Sequence, residues 1–188
     1  FGSITIGSLE KHITETAWNN GWIKPITSDK NQNQKVAIIG SGPAGLAAAT
    51  YLLEYGYEVE VFEKNDRIGG LMIYGIPNFK LDKSVVIRRS DWLKESGVIF
   101  HTNCEVGKDL SFEDLEKKFD AILISTGVYK ARSLDLNTEK VSNSIPALEY
   151  LIESNKVGLG DKPSLNSHLS AKNKKVIVIG GGDTAMDC

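Results

Sequence analysis

Cysteine is nearly absent from this chain. Cys104 and Cys188 stand far apart without C-x-x-C spacing, so the 188 residues supply neither a disulfide framework nor a cysteine-held metal or iron–sulfur site. Cys104, flanked by strand-like residues, reads as a small core side chain. Long apolar runs are missing too. Nothing approaches the ~18 consecutive apolar residues of a membrane span, and no basic region followed by an apolar core opens the chain. An excess of one charge is also lacking: 22 Lys and Arg against 24 Asp and Glu give a net charge of −2, which argues against nucleic acid or an acidic membrane surface as partner. The three histidines, His12, His101 and His168, are scattered, so solvated or structural roles are expected and no general base is nominated. The remaining composition, 41% hydrophobic and 24% charged, is that of a soluble globular protein with a cytoplasmic location as the default expectation.

Glycine, by contrast, is placed with purpose. Val36 to Thr50, VAIIGSGPAGLAAAT, runs from an apolar strand through Gly40, Gly42 and Gly45 into an alanine-rich helix. Gly40 allows the tight strand-to-helix turn, Gly42 lets a pyrophosphate approach the backbone, and Gly45 lets helix and strand pack closely. The helix N-terminus would then face phosphates with its unpaired N–H groups, and Pro43 fits its first turn. A second strand, Glu58 to Phe62, delivers Glu63 where a ribose-binding carboxylate belongs. Lys175 to Gly182, KVIVIGGG, repeats the pattern as an apolar strand entering a turn, with Gly180, Gly182 and Ala185 completing G-x-G-x-x-A. Two such turns suggest two nucleotides held face to face.

The rest of the chain is organised around them. Ser8 is expected to cap a first helix running to about Asn20, with Leu9, Ile13 and Ala17 on one face, Gly21 as its stop, and Trp18 and Trp22 as packing residues. Thr27 to Gln34 reads as a linker. The loop RIGGLMIYGIPNFK is unusually apolar and should cover something. Lys83 to Ser96 and Ser111 to Phe119 read as helices, with Trp92 and Leu93 in the core and Arg88 and Arg89 most simply on a solvated face, a basic pair near a subunit or phosphate surface being the alternative. Val98 to His101, Asn103 to Val106 and Asp120 to Ser125 read as strands. Glu153 to Asn173 is polar and loop-like, as an inter-domain connection would be. The alternation calls for an α/β, doubly wound sheet. The expected division is an N-terminal helical segment (1–34), an incomplete first nucleotide domain (35–173) and the truncated start of a second (174–188). A chain that opens on Phe1 and stops one turn into the second motif's helix is expected to be a fragment.

Three features move the reading from nucleotide to flavin: the E-x-x-x-R-x-G-G run from Glu63 through Arg67 to Gly69 and Gly70, the Ser125-Thr126-Gly127 strand end, and the spacing of the second turn. The segments GSITIGSLEKHITETAWNNGW, IGGLMIYGIPNFKL, RRSDWLKESGVIF and VIVIGGGDTAMDC then resemble the glutamate synthase small (beta) subunit family, NADPH-oxidising flavoproteins that bind two dinucleotides. That resemblance implies a doubly wound FAD-binding Rossmann-type domain followed by the start of an NAD(P)-binding one. It implies that Gly40, Gly42, Ala44, Gly45, Glu63, Gly70, Leu71, Lys80, Val106 and Gly127 line FAD, and that Gly180, Gly182, Asp183, Thr184 and Ala185 approach NADPH or NADH. It implies 4Fe-4S clusters in a region preceding Phe1, a large (alpha) subunit as partner, and hydride transfer from NAD(P)H to flavin for glutamate formation from glutamine and 2-oxoglutarate. The flavin half of a dihydropyrimidine dehydrogenase or ferredoxin:NADP oxidoreductase, and a non-catalytic nucleotide-binding scaffold, are the alternatives.

Overall fold

The computed structural model describes residues 5–129, 143–162 and 169–188. Four strands form one parallel sheet: β1 (Lys35–Ile39), β2 (Glu58–Phe62), β3 (Ile99–His101) and β4 (Ala121–Ile124), in the order β3-β2-β1-β4. The helices are α1 (Ile6–Asn19), α2 (Pro43–Glu54), α3 (Leu71–Tyr74), α4 (Lys83–Glu95), α5 (Phe112–Lys118), α6 (Ala147–Gly158) and α7 (Asp183–Asp187).

Strand alternation explains why both faces of the sheet are covered. Ile38, Val59 and Val61 point one way and are closed off by Leu46 and Ala49 of α2 and by Trp92 and Leu93 of α4. Ala37 and Phe62 point the other way, onto Leu115 of α5. That is the doubly wound arrangement expected from the alternating pattern. Side-chain caps open both helices: at α4 Asp82 accepts from the Ser84 amide at 2.9 Å, and at α5 Ser111 accepts from the Asp114 amide at 3.1 Å. The Ser84 amide bond holds the Asp82 carboxyl below the usual carboxylate range, and a hydrogen bond from the Ser111 side chain to the Asp114 carboxylate does the same for Asp114.

Several local expectations are corrected. The first helix begins at Ile6 with Thr5 at the N-cap position and no side-chain cap, so Ser8 lies inside it. Leu9 and Ile13 are exposed, and so is Trp22. Trp18 alone packs as expected, edge-on to Trp92 with ring centroids 6.4 Å apart. Arg88 and Arg89 are not a solvated pair. Arg88 grips the Glu15 carboxylate with both terminal nitrogens (3.0 and 2.7 Å), and half-buried Arg89 lies over Trp92 and donates to Thr50 Oγ1. With Trp92 Nε1 donating to the Lys24 carbonyl at 2.7 Å, these contacts fasten the N-terminal segment to α4. Residues 103–106 form no strand, and only Val106 makes an isolated bridge, to Leu110. The polar region from Glu153 is helical as far as Gly158. Val176 to Ile179 form no strand among the described residues and are largely exposed, because no neighbouring strand takes up their N–H and C=O groups. His168 lies outside the described residues, as do residues 130–142 and 163–167.

Candidate functional site

Chain order 3-2-1-4 in space means that connections leave β1 in opposite directions, which opens a crevice at the carboxyl ends of β1 and β4. The first glycine turn lies there. Gly40, with φ of 102°, occupies a region only glycine enters without strain, and a Cβ on it would come within 2.6 Å of the Ser125 carbonyl oxygen at the end of β4. Gly45 is tighter still: its Cβ would stand 2.1 Å from the Gly40 oxygen. Gly42 differs from both. It is the N-cap of α2, and a Cβ there meets no atom within 4 Å, so the helix N-terminus opens onto free space.

The apolar loop supplies the other wall. Ile68, Ile73 and Tyr74 are buried, and the loop backbone passes so close to the turn that a Cβ on Gly70 would lie 2.9 Å from Gly42 Cα. Leu71 follows at the start of α3 and is part-exposed. Lys83 caps α3 from below: its ammonium, lowered in pKa by burial, donates to the Met72 and Ile76 carbonyls. Gly127, with φ of 70°, follows β4, and Ser125 Oγ donates to the Ile39 and Gly40 carbonyls, both at 3.1 Å. The crevice therefore has an open anion-binding helix end, glycine backbone on two sides and no side chain in the gap, which fits a pyrophosphate.

Glu63 ends β2 as expected and is 4% exposed. Its carboxylate is fully engaged. Oε2 accepts from the Ser41 amide (3.1 Å) and the Ser41 hydroxyl (2.5 Å), and Oε1 accepts from the Asn65 amide (2.9 Å) and side-chain nitrogen (2.7 Å). Val106 packs in the cluster with Phe62 and Leu115, beside the segment in which the Cys104 amide donates to the Glu63 carbonyl. Burial raises the Cys104 thiol pKa.

The remaining expected positions lie in other elements. The Lys80 ammonium pairs with the Asp187 carboxylate, which raises its pKa. Gly180, Gly182, Asp183, Thr184 and Ala185 lie in the second turn and α7, which packs against α6. Sequence reasoning missed Ser41, Asn65 and Asp161. Asp161 takes both terminal nitrogens of Arg67 (2.7 and 2.6 Å), while Arg67 also donates to Tyr74 and Asp66. Burial and the neighbouring Asp66 push the Tyr74 hydroxyl up to about 12. Only Ser41 carried a signal in the sequence, as a hydroxyl between the two glycines of the turn; a partner 94 positions from Arg67 carries none.

Among the described residues no helix is long and apolar enough to cross a membrane. The chain is 53% identical to the glutamate synthase [NADPH] small chain of Azospirillum brasilense, over all of this chain and 39% of that one. It is 50% identical to the putative glutamate synthase [NADPH] small chain of Cereibacter sphaeroides, over all of this chain and 45% of that one. The chain thus spans less than half the length of these curated relatives. Among solved structures, Mycobacterium tuberculosis FprA in complex with NADPH superimposes with a TM-score of 0.58 at 25% identity, over 65% of this chain and 29% of that one. Residues 34–188, from just before β1 through both glycine turns, match the family model of pyridine nucleotide-disulphide oxidoreductases, and the chain belongs to that family.

Proposed function

We propose that this chain is the flavin-binding part of a glutamate synthase small subunit, which passes reducing equivalents from NADPH through FAD toward a large subunit that forms glutamate from glutamine and 2-oxoglutarate. The observation that carries the reading is the open N-terminus of α2 at Gly42, walled by Gly70 and set at the β1/β4 switch point. Similarity to glutamate synthase small chains along the whole chain supports the assignment. Gly40, Gly42, Ala44, Gly45, Gly70, Leu71 and Gly127 frame the FAD pyrophosphate and its flanks, with Glu63 behind the turn, Val106 beside the strand end and Lys80 farther out. Residues 1–34 form a helical lead-in, 35–173 the FAD-binding unit and 174–188 the opening of a nicotinamide-nucleotide unit, where Gly180, Gly182, Asp183, Thr184 and Ala185 face the second dinucleotide.

When bound, FAD supplies the hydride-accepting chemistry; the chain's own task is to hold it. The α2 N–H groups and dipole offset phosphate charge, and the glycines keep side chains out of the gap. Iron–sulfur clusters and the large subunit belong to the same proposal. The test is to purify the complete gene product, record its visible spectrum and add NADPH anaerobically. Flavin absorbance bleached by NADPH is expected; a colourless protein that takes up no FAD would overturn the reading.

A further inference from the structure

Two separate routes lead from the helix of the second glycine turn back to one short stretch of the apolar loop. In the first, α7 packs against α6, and α6 is fastened to the loop. Asn155, 3% exposed, donates to the Tyr74 carbonyl at 3.0 Å, and Asp161, just past the helix, holds Arg67. The second route is direct. The Lys80 ammonium, a few residues beyond α3, pairs with the Asp187 carboxylate of α7, whose side chain is 11% exposed. The hydrogen bond to Asp187 raises the Lys80 pKa, and Asp183, one turn earlier on α7, adds to the effect. Val176 to Ile179, which feed the second turn, join no ladder among the described residues. The seat of the second turn is therefore set through Tyr74 to Lys80. That stretch follows directly on Gly70 and Leu71, the wall of the first crevice.

We propose that Lys80 and Asp187 are a positioning pair that joins the two dinucleotide units: the carboxylate on the helix of the second turn fixes the ammonium on the apolar loop, and the pair sets how the nicotinamide approaches the flavin. The inference rests on the FAD and NADPH reading and gives a task in it to Asp187, a residue that no glycine or strand-end pattern marks. The physical reason is the short range of the reaction. Hydride transfer requires reacting atoms about 3–3.5 Å apart, and a misplacement of about 1 Å costs on the order of a hundredfold in rate. A pair that spans the two units controls that distance without touching either ring. Its two members are not equivalent. Lys80, the more exposed, can turn its ammonium to water, whereas Asp187 without Lys80 is a largely buried charge left unpaired. Lys80→Met is therefore the more disruptive substitution and Asp187→Asn the milder one.

The test is a cycle of three variants of the complete gene product, Asp187→Asn, Lys80→Met and both together, followed by anaerobic stopped-flow reduction of the bound flavin over a range of NADPH concentrations. Thermal unfolding of the flavin-free proteins checks that they fold, and Lys80→Gln replaces Lys80→Met if the latter does not. Asp187→Asn is expected to lower the limiting rate of flavin reduction roughly tenfold to a hundredfold, with the Kd for NADPH and the affinity for FAD each within about threefold of the unsubstituted protein. The double variant should be no slower than the slower single one, since both break one pair. A second readout needs no cofactor. The Lys80 and Leu81 amides both donate to the Pro77 carbonyl at 3.0 Å, and their hydrogen exchange should quicken in flavin-free Asp187→Asn although the substitution lies far along the chain. An unchanged limiting rate in Asp187→Asn overturns the proposal, whatever happens to thermal stability. So does a raised Kd for NADPH at an unchanged limiting rate, which would make Asp187 a direct ligand, and so do losses that multiply in the double variant. An unsubstituted protein whose flavin NADPH does not bleach overturns the functional reading instead, before any variant is made.

Discussion

Gly40 and Gly180 both take positive φ, 102° and 138°, and Gly42 and Gly182 both stand as extended N-caps with ψ of −179° and 179°. Each is followed by a helix. Around these matching backbones nothing else matches. The first turn is fed by a strand paired on both sides, and a Cβ on Gly40 or Gly45 would collide with backbone. The second is fed by Val176 to Ile179, in no strand and between 48% and 89% exposed, and a Cβ on Gly181 or Gly182 would meet nothing within 4 Å. A glycine pattern therefore writes its own local turn through its φ requirements, while the crevice that makes the turn a site comes from neighbouring strands.

The largest break in this comparison should come at its most crowded point. Gly45→Ala places a methyl 2.1 Å from the Gly40 oxygen, and we expect a loss of about 3 kcal/mol in chemical denaturation, toward the upper end for overpacking. The corresponding position of the second turn is already Ala185, which the open geometry tolerates; unchanged stability in Gly45→Ala would mean that the two turns are equally free.

Gly42→Ala sharpens the contrast without disturbing the fold. With free space around the new Cβ and φ of −66°, unfolding free energy should stay within about 0.5 kcal/mol, while FAD affinity falls at least about tenfold because the methyl enters the phosphate gap. Gly182→Ala should alter neither quantity. Equal FAD loss in both variants, read by flavin fluorescence titration, would show that the first turn has no special claim on the pyrophosphate.

A smaller effect lies at the junction between the apolar loop and the segment that follows α6. The Arg67 guanidinium holds the Asp161 carboxyl below its usual range. The sign follows from linkage: a carboxyl depressed in the folded state binds its proton less readily there than in the unfolded chain. Its stabilisation is complete above the ordinary carboxylate value and is lost as pH falls through the depressed one. Below about pH 4, amide exchange in α6 should therefore quicken, and Asp161→Asn should remove that pH dependence. An α6 exchange profile that Asp161→Asn leaves unchanged would rule out this latch.

What could be read from the sequence follows from range. The positions of β1, α2, β2, α4 and α5 rest on contacts a few residues long: alternation, capping by Asp82 and Ser111, and glycine stops at Gly56 and Gly97, both at positive φ. The same local rules misplaced what depends on distant partners. Val176 to Ile179 carry a strand's composition but lack a ladder, and Arg88 and Arg89 carry a solvated pattern but find Glu15 and Thr50. Ser8 looks like a cap, yet the helix extends past it.

The amino-acid sequence by itself determined the two glycine turns, their φ signs and the helices they open, because those are consequences of missing Cβ atoms and of hydrogen bonds within one turn of chain. Tertiary structure alone decided which turn becomes a crevice, and that Glu63, at the place of a ribose ligand, is bonded to Ser41 and through it to Gly69. Those outcomes depend on which donors and strands are brought within about 3 Å from far along the chain, a distance that no spacing in the sequence encodes.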